Sequence, residues 1–302
     1  MSDYVLRILA KDSGVRVLAC TTTELAREAA QRHSAYPIAA AALAYGMTAG
    51  VLLGGLLKVQ ERIALKVEGG GRLGKLVIEA DAYGHVRGYL SAPDASSGES
   101  LGREAVGDAL GREGVLTVVK DLRLKNLYRS AINLEYGELD KDLEAYLNQS
   151  EQIPSLVEIG VVMDDDRSIA SAGGLLIQAL PGHGHEAVAQ VAARLEDLPP
   201  IENLLSDGRT PEQIVDQLLG DQEYLLLERQ PAEFRCSCSQ DRSRQALRML
   251  DRDDLLALVA EGEATVDCHF CHARYFFARS DLEAILAETQ MATGDEDAPE
   301  PA

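Results

Sequence analysis

Four of the five cysteines in this chain form two closely spaced pairs near its C-terminal end. The first pair is Cys236 and Cys238, and the second is Cys268 and Cys271. Four thiolates presented in this way can complete a tetrahedral zinc site, for which cysteine sulfur is a preferred ligand. The same thiols are also close enough in sequence to form two local disulfides. This part of the chain is therefore constrained to be a small unit organised by metal binding, by redox chemistry, or by both in turn.

The overall composition is that of a soluble globular protein. The chain has 302 residues, of which 46% are hydrophobic and 26% charged, which is enough for two domains. It contains no Trp and only 5% aromatic residues, so its core must consist mainly of Leu, Val, Ile and Ala. A net charge of −20 opposes binding to nucleic-acid phosphates and to anionic membrane surfaces. We therefore expect neither a nucleic-acid partner nor a membrane partner.

The N-terminal residues predict no signal peptide, because they have neither a basic stretch nor a long apolar one. Five cysteines without an export signal favour a reducing compartment, and hence a cytoplasmic location. One segment, Ile38 to Leu57, has no charged residue and is long enough to span a membrane. Because this segment is dominated by Ala and Gly, we expect a helix buried in the protein core.

The first 180 residues predict a domain of the α+β class with mixed helices and sheet. Val5 to Ala10 and Val15 to Cys20 alternate around a Gly-containing turn, which predicts an opening β-hairpin. Thr21 and Glu24 have capping-box spacing for a first helix, and Pro37 suits the first position of the Ala-rich helix.

Two loop segments resemble ligand-binding motifs but lack essential features. Gly69 to Lys75 nearly matches a phosphate-binding loop, but Leu76 replaces the required Ser or Thr and strands are predicted on both sides. We interpret it as a hairpin loop with no nucleotide site. The acidic run from Asp164 to Asp166 is interpreted as a solvated turn.

Residues 181–231 predict a helical linker of marginal stability. The helical pattern from Val188 to Leu198 is interrupted by two prolines. A second, short helix begins with Thr210 as N-cap and Gln213 at the third helical position, and it ends at Gly220. Isolated helices of this length are marginal in water, so they must pack against another part of the protein.

Residues 232–288 predict a small C-terminal zinc-binding domain that contains both cysteine pairs. Helices are expected at Gln245–Leu250 and Asp253–Val259, strands around the second pair, and a last helix capped by Ser280 and Glu283. The acidic residues 289–302 predict a disordered tail.

The candidate zinc ligands are Cys236, Cys238, Cys268 and Cys271. Four sulfur ligands fill the coordination shell, so no position remains for a catalytic water and a hydrolytic zinc enzyme is not expected. His269 and His272 lie beside the second pair and are expected on the surface. Cys20 is distant in sequence and is expected to be a buried small hydrophobic residue. No catalytic or organic-cofactor residues are predicted.

Several stretches match a known family in the order in which they occur. They are Thr21–His33, the Ala-rich helix to Leu57, Glu79–Tyr89, Leu116–Leu122, Ser150–Ser155, Gly173–Gly182, Phe234–Cys238 and Val266–Cys271. On these residues the chain resembles the 33-kDa heat-shock protein family of redox-regulated holdase chaperones. The resemblance covers nearly the whole chain except the acidic tail.

The resemblance implies a non-enzymatic chaperone that binds unfolded or partially folded client proteins without ATP. It also implies a reduced, inactive state in which the four thiolates hold one zinc ion. For the oxidised, client-binding state it implies two disulfides, Cys236–Cys238 and Cys268–Cys271, an unfolded linker and often a homodimer.

Three other functions remain open from the residues alone. The cysteine pairs could belong to a zinc-ribbon nucleic-acid-binding module, although the net charge opposes it. Cys268 and Cys271 could be the active dithiol of an oxidoreductase. The zinc domain could also be a constitutive structural element on an unrelated scaffold.

Overall fold

The computed structural model describes residues 2–95 and 100–294, with residues 290–294 as backbone only. The chain divides into two compact units, and the boundary between them follows Arg235. The predicted α+β class is confirmed, since both units combine helices with sheet.

The first unit contains two sheets and the helices that pack on them. Its strands are β1 (Tyr4–Ala10), β2 (Val15–Thr21), β3 (Arg62–Glu68), β4 (Lys75–Asp81), β5 (His85–Leu90), β6 (Val115–Asp121), β7 (Tyr128–Asn133), β8 (Ser155–Met163), β9 (Ile169–Ala179), β10 (Leu225–Pro231) and β11 (Glu233–Phe234). Its helices are α1 (Thr23–Arg32), α2 (Pro37–Gly54), α3 (Arg103–Leu110), α4 (Leu139–Gln149), α5 (His185–Glu196), α6 (Ile201–Ser206) and α7 (Pro211–Leu219).

The strands form one five-stranded and one six-stranded sheet. The first sheet has the order β10-β1-β2-β9-β8 and is antiparallel throughout. The second has the order β11-β5-β4-β3-β6-β7, in which only β11 pairs in parallel with its neighbour. The predicted hairpin of β1 and β2 is confirmed. The glycine-rich loop joins the antiparallel strands β3 and β4, so the hairpin interpretation of that loop is also confirmed.

Helix α2 is buried between these elements, as its composition predicts. It is long and apolar enough to span a membrane by length and composition, but 94% of it is buried inside the protein. Its glycines allow the second sheet to approach closely: a Cβ added at Gly50 would lie 2.7 Å from the side chain of Ile78. On the first sheet, a Cβ added at Gly174 would lie 3.1 Å from Thr48 of α2. Small residues along the helix therefore permit tight packing.

The first sheet is covered by helices on its other face as well. Helices α5, α6 and α7, which lie in the predicted linker, contribute Val188, Val191, Leu204 and Leu218 to one apolar cluster. The strand residues in the same cluster are Tyr4, Leu6, Ile8, Ala10, Val15, Val17, Ala19, Leu175, Ile177 and Ala179. Because both faces are covered, β1, β2 and β9 are almost continuously apolar.

The second unit is small. It contains α8 (Gln240–Leu247), α9 (Arg252–Glu261), the antiparallel hairpin of β12 (Glu263–Asp267) and β13 (Arg274–Ala278), and α10 (Arg279–Gly294). Among the described residues, the buried part of its core consists of six side chains, against which partly buried hydrophobic residues also pack: Leu247, Leu255, Ala264, Phe277, Leu282 and Ile285. A core of this size contributes little stability by itself.

Two predicted helix caps are wrong. Thr21 belongs to β2, and α1 begins at Thr23; the carboxylate of Asp3 accepts a hydrogen bond from the backbone N–H of Leu25 at 2.7 Å instead. Ser280 lies inside α10, where Asp281 accepts from the Ala278 N–H at 2.9 Å. In both places the carboxylate of another residue satisfies a free N–H group at the helix start.

The other local predictions have mixed outcomes. The Thr210 capping box is confirmed, with reciprocal hydrogen bonds between Thr210 and Gln213. Helix α8 begins and ends earlier than predicted, because Ser239 caps it and accepts from the Arg242 N–H at 3.2 Å. The predicted tail overlaps α10, and its residues after 294 lie outside the described part of the chain. The predicted boundaries at 181, 232 and 289 stay a prediction.

Candidate metal and redox centre

The two cysteine pairs lie in two short loops of the second unit. Cys236 and Cys238 immediately precede the Ser239 cap of α8. Cys268 and Cys271 lie in the turn that joins β12 and β13. This turn is closed by backbone hydrogen bonds from Cys268 to Ala273 at 2.9 Å and from His272 to Cys268 at 2.8 Å. His272 adopts a positive φ of 56°, which folds the second pair back toward the hairpin.

The structure brings all four thiols together. The four Sγ atoms lie within 4.8 Å of one another, although the pairs are separated by two helices and a strand. The Sγ atoms of Cys236 and Cys268 are 3.6 Å apart, and those of Cys238 and Cys271 are 3.3 Å apart. A tetrahedral zinc ion with Zn–S bonds of about 2.3 Å requires S–S separations of about 3.8 Å. The donor set and its spacing therefore fit a single zinc ion.

The electrostatics of the cluster also favour a bound cation. Partial burial, followed by hydrogen bonding with neighbouring thiols, raises the pKa of Cys271. Burial likewise raises the pKa of Cys268, with a further increase from its hydrogen bond to Cys236. Thiols this close together cannot all ionise unless a positive charge balances them. Zinc binding by thiols requires the thiolate form, so a bound ion would supply that charge and release the thiol protons.

One side chain that contacts the four-thiol cluster was not predicted from the sequence. The hydroxyl of Tyr275 in β13 donates a hydrogen bond to Cys238 Sγ at 3.1 Å, and this bond raises the pKa of Tyr275 to about 12. An aromatic residue in a strand is typical of a core, so its type carried no signal of this role. Its position, four residues after Cys271 in the paired strand, is the one clue the sequence offers. Hydrogen bonds of this kind orient metal ligands and tune the bound metal.

The remaining cysteine and the two nearby histidines lie outside the cluster of four thiols. His269 and His272 are exposed, as expected. Cys20 in β2 is 2% exposed, and burial raises the pKa of its thiol. The interpretation of Cys20 as a buried small residue is confirmed, and this thiol is shielded from reagents in solution.

The linker helices are attached to the first sheet by polar contacts as well as by apolar ones. Arg103 of α3 forms ion pairs with the buried Asp140 at 2.8 Å and with Glu202 of α6 at 3.0 Å, and it donates to the Ile159 carbonyl of β8 in the first sheet at 3.0 Å. The hydroxyl of Tyr4 donates to Glu212 of α7 at 2.5 Å. These contacts, with the apolar cluster, hold α6 and α7 against the sheet.

Comparison with known proteins gives one consistent result. The family model described as "Hsp33 protein" matches residues 3–278. A 33 kDa chaperonin of Geobacter sp. (strain M21) is 44% identical over 95% of this chain and 98% of its own length. The 33 kDa chaperonin of Bacillus subtilis (strain 168) is 38% identical over 95% and 99%. The crystal structure of the 33 kDa chaperonin from Thermotoga maritima matches with a TM-score of 0.85 and 29% identity, covering 96% of this chain and 99% of that one.

Proposed function

The chain belongs to the Hsp33 family of chaperones, and from this premise we propose that it is a redox-regulated, ATP-independent holdase. In the reduced state the four thiolates hold one zinc ion and the protein is inactive. In the oxidised state it binds unfolding client proteins and prevents their aggregation. The gathering of four thiols in a small unit, whose described residues include a core cluster of six buried side chains, is the observation that carries this proposal.

The ligands we propose are Cys236, Cys238, Cys268 and Cys271. Bound zinc contributes roughly 10–16 kcal/mol of apparent binding free energy in small zinc domains. That amount is comparable with the roughly 5–15 kcal/mol that stabilise a whole domain. The second unit therefore depends on its thiolates for its fold.

Peroxide is the oxidant class that we propose. Each pair of zinc-bound thiolates gives up two electrons and forms one S–S bond. These electrons, together with two protons from the solvent, reduce one peroxide molecule to two of water. Two peroxide molecules thus oxidise all four ligands, which can then no longer hold zinc. Four cysteines can pair in three ways, and the folded cluster does not decide among them, because all four Sγ atoms lie within 4.8 Å of one another. After unfolding, Cys236–Cys238 and Cys268–Cys271 close the shortest loops, which supports these two disulfides.

Unfolding of the second unit is proposed to release the linker. Helices α5, α6 and α7 are short, so they depend on packing against the rest of the protein rather than on their own helical stability. Their departure would uncover the apolar face of the first sheet, including Leu6, Ile8 and Val17. A large exposed apolar surface is the feature that an unfolding client can bind. The net charge of −20 helps to keep such complexes soluble.

The partners of the active state are unfolded or partially folded proteins, and the oxidised chain is proposed to form a homodimer in the cytoplasm. Neither nucleic acid nor membrane is a proposed partner, and no catalytic turnover is proposed. A dithiol oxidoreductase would differ, because it would reduce or oxidise many substrate molecules for each protein molecule.

The proposal is tested by aggregation suppression. The full chain is prepared reduced with zinc, and separately treated with hydrogen peroxide at mildly elevated temperature. Light scattering of a chemically unfolded client is then followed after dilution with each preparation. We expect strong suppression by the oxidised chain and little by the reduced chain. Equal suppression by both preparations would remove the redox regulation, and no suppression by either would remove the holdase function.

A further inference from the structure

The outer strand of the first sheet is unusually exposed for its composition. Strand β10 begins with three leucines, and Leu225, Leu226 and Leu227 are 54%, 48% and 48% exposed. It pairs with β1 along one side and forms the edge of the sheet on the other. None of its residues belongs to the buried cluster under the linker helices. The strand therefore covers the edge of β1 without contributing to the core.

The two paired strands are held in the sheet to very different degrees. Tyr4, Val5, Leu6 and Ile8 of β1 are all buried, and β1 also pairs with β2 along its whole length. Beyond its backbone ladder, β10 is held by half-exposed contacts. Those contacts include an ion pair of Arg7 with Glu228 at 2.7 Å, stacking of Arg229 on the Tyr4 ring at 4.0 Å, a longer ion pair of Arg229 with Glu212 of α7 at 3.9 Å, and a hydrogen bond from Gln230 to the Ala82 carbonyl at 2.9 Å. Exposed ion pairs contribute little to the stability of a fold.

The pairing of β10 with β1 is also irregular. Arg7 lies opposite Glu228 and Ile8 lies opposite Leu226, so Leu227 has no partner in β1. An unpaired residue of this kind is a β-bulge, and it interrupts the ladder of hydrogen bonds. In sequence, β10 lies between α7 and the first cysteine pair, so both flanking segments are ones that we propose to unfold on oxidation.

From this placement we infer that β1 is a strand-acceptor site for client proteins. The inference rests on the proposed function and adds how the client is recognised. When the linker opens, β10 leaves the sheet and β1 stays, because β1 is fixed by the core and by β2. The edge from Tyr4 to Leu9 then presents unpaired backbone N–H and C=O groups. An extended segment of an unfolding protein adds there as an antiparallel strand.

Strand β10 shows which client segments the edge accepts. Leu226 and Leu225 lie opposite Ile8 and Leu9, and the acidic Glu228 lies opposite Arg7. An extended client segment of about six residues, with apolar side chains followed by an acidic one, reproduces these pairings. Because the backbone ladder supplies most of the contact, many sequences can bind. Arg7 favours those with an acidic residue at the matching position.

The test uses a fluorescein-labelled peptide with the sequence of residues 222–232 and the full-length chain. Fluorescence anisotropy is measured with the reduced, zinc-bound chain and with the peroxide-oxidised chain. We expect at least tenfold tighter binding to the oxidised chain. A ¹³C=O label at Leu226 of the bound peptide should show the infrared amide shift of a β-strand. Binding of equal strength to both forms, or a bound peptide without that shift, would overturn the inference.

A matched peptide tests the contribution of the backbone hydrogen bonds separately from that of the side chains. N-methylation of Leu225 and Leu226 keeps every side chain but removes two adjacent N–H donors. Alternate N–H groups of a strand face the same side, so at least one removed donor faces β1. We expect a loss of at least tenfold in affinity. Unchanged affinity would show that only side chains bind, and strand addition would be wrong.

A charge exchange tests the position of the strand. The peptide with Glu228→Lys should bind the oxidised chain several-fold more weakly, and the chain with Arg7→Glu should prefer this peptide to the original. In the full chain, Glu228→Lys should weaken β10 and so increase the affinity of the original peptide. Glu223→Lys, which changes the same charge in the loop before β10, is the control. If the Arg7→Glu chain shows the same preference between the two peptides as the wild type, the peptide does not bind beside Arg7 on β1.

Aggregation suppression is measured on the same preparations, so the two proposals can fail separately. An oxidised chain that suppresses aggregation but does not bind the peptide contradicts only the strand-acceptor site. An oxidised chain with neither activity contradicts the holdase function, and the strand-acceptor inference fails with it.

Discussion

At the scale of single residues, the sequence was most informative about the cysteines. Two pairs of thiols indicate a shared site, because few other arrangements satisfy four thiolates in a small unit. Asp3 and Tyr275 were not predicted, because each acts on a partner that only the fold brings near. Asp3 reaches the start of α1 from the chain end before β1, and Tyr275 reaches the first cysteine pair from β13.

Tyr275→Phe is expected to weaken zinc binding by about tenfold or more, because the hydrogen bond to Cys238 supports one ligand. Zinc transfer to a chromophoric chelator measures the affinity in the reduced protein. Tyr224→Phe is the matched control, since its hydroxyl bonds to Asp216 in the first unit. Equal zinc affinity of the Tyr275 variant and the wild type would show that this hydrogen bond does not tune the site.

Asp3→Asn is expected to change the pH dependence of stability. Burial raises the pKa of Asp3 from 3.8 to about 6, although the Leu25 N–H opposes this rise. The folded protein therefore holds this proton more tightly than the unfolded chain does. Protonation of Asp3 stabilises the fold below pH about 4, and this contribution is lost as the pH rises through 6. The Asp3→Asn variant lacks this pH-dependent contribution to stability.

Relative to the wild type, the variant's free energy of unfolding should therefore fall by roughly 2–3 kcal/mol between pH 7 and pH 4. Urea unfolding at several pH values measures both proteins, and the difference at each pH cancels the contribution of the cysteines. Asp12→Asn, which removes a carboxylate at an exposed position in the β1–β2 turn, is the control. Parallel pH profiles for Asp3→Asn and the wild type would contradict the raised pKa.

At the scale of helices and strands, periodicity identified most elements of the first unit. The Thr210 capping box was recognised because its signal is entirely local. Strand β10 was not predicted, because three consecutive leucines followed by charged residues show no alternation. It is a strand only because the edge of β1 lies beside it. The sequence thus shows helices in the linker but not the strand that ends it.

Leu218→Ala is expected to loosen the linker in the reduced protein. Leu218 of α7 is fully buried against the first sheet, and truncation of such a residue costs about 2–5 kcal/mol. If the linker covers the client-binding face, the reduced variant should already suppress client aggregation in part, and limited proteolysis should cut within 181–231. Leu143→Ala removes an equally buried leucine from α4 and is the control. If the reduced Leu218 variant does not suppress client aggregation, packing of the linker does not control client binding.

At the scale of the whole molecule, the chain joins two units whose cores differ greatly in size. The first unit has two sheets around the buried helix α2, whereas the second has a small core and four clustered thiols on which we propose that its fold depends. The sequence predicted both kinds of unit, because the cysteines lie close together and the apolar patterns lie mainly before residue 220. It could not show which face of the first sheet the linker covers, since that depends on the pairing of β1, β2 and β9.

The central claim is that oxidation of the four clustered thiols unfolds the second unit and the linker together. It is tested by following zinc release, free thiols and far-UV circular dichroism in one peroxide time course. We expect one zinc released as four thiols are lost, with a simultaneous loss of helical signal. The buried Cys20 should react only after denaturation. Loss of four thiols and one zinc with an unchanged helical signal would contradict the account.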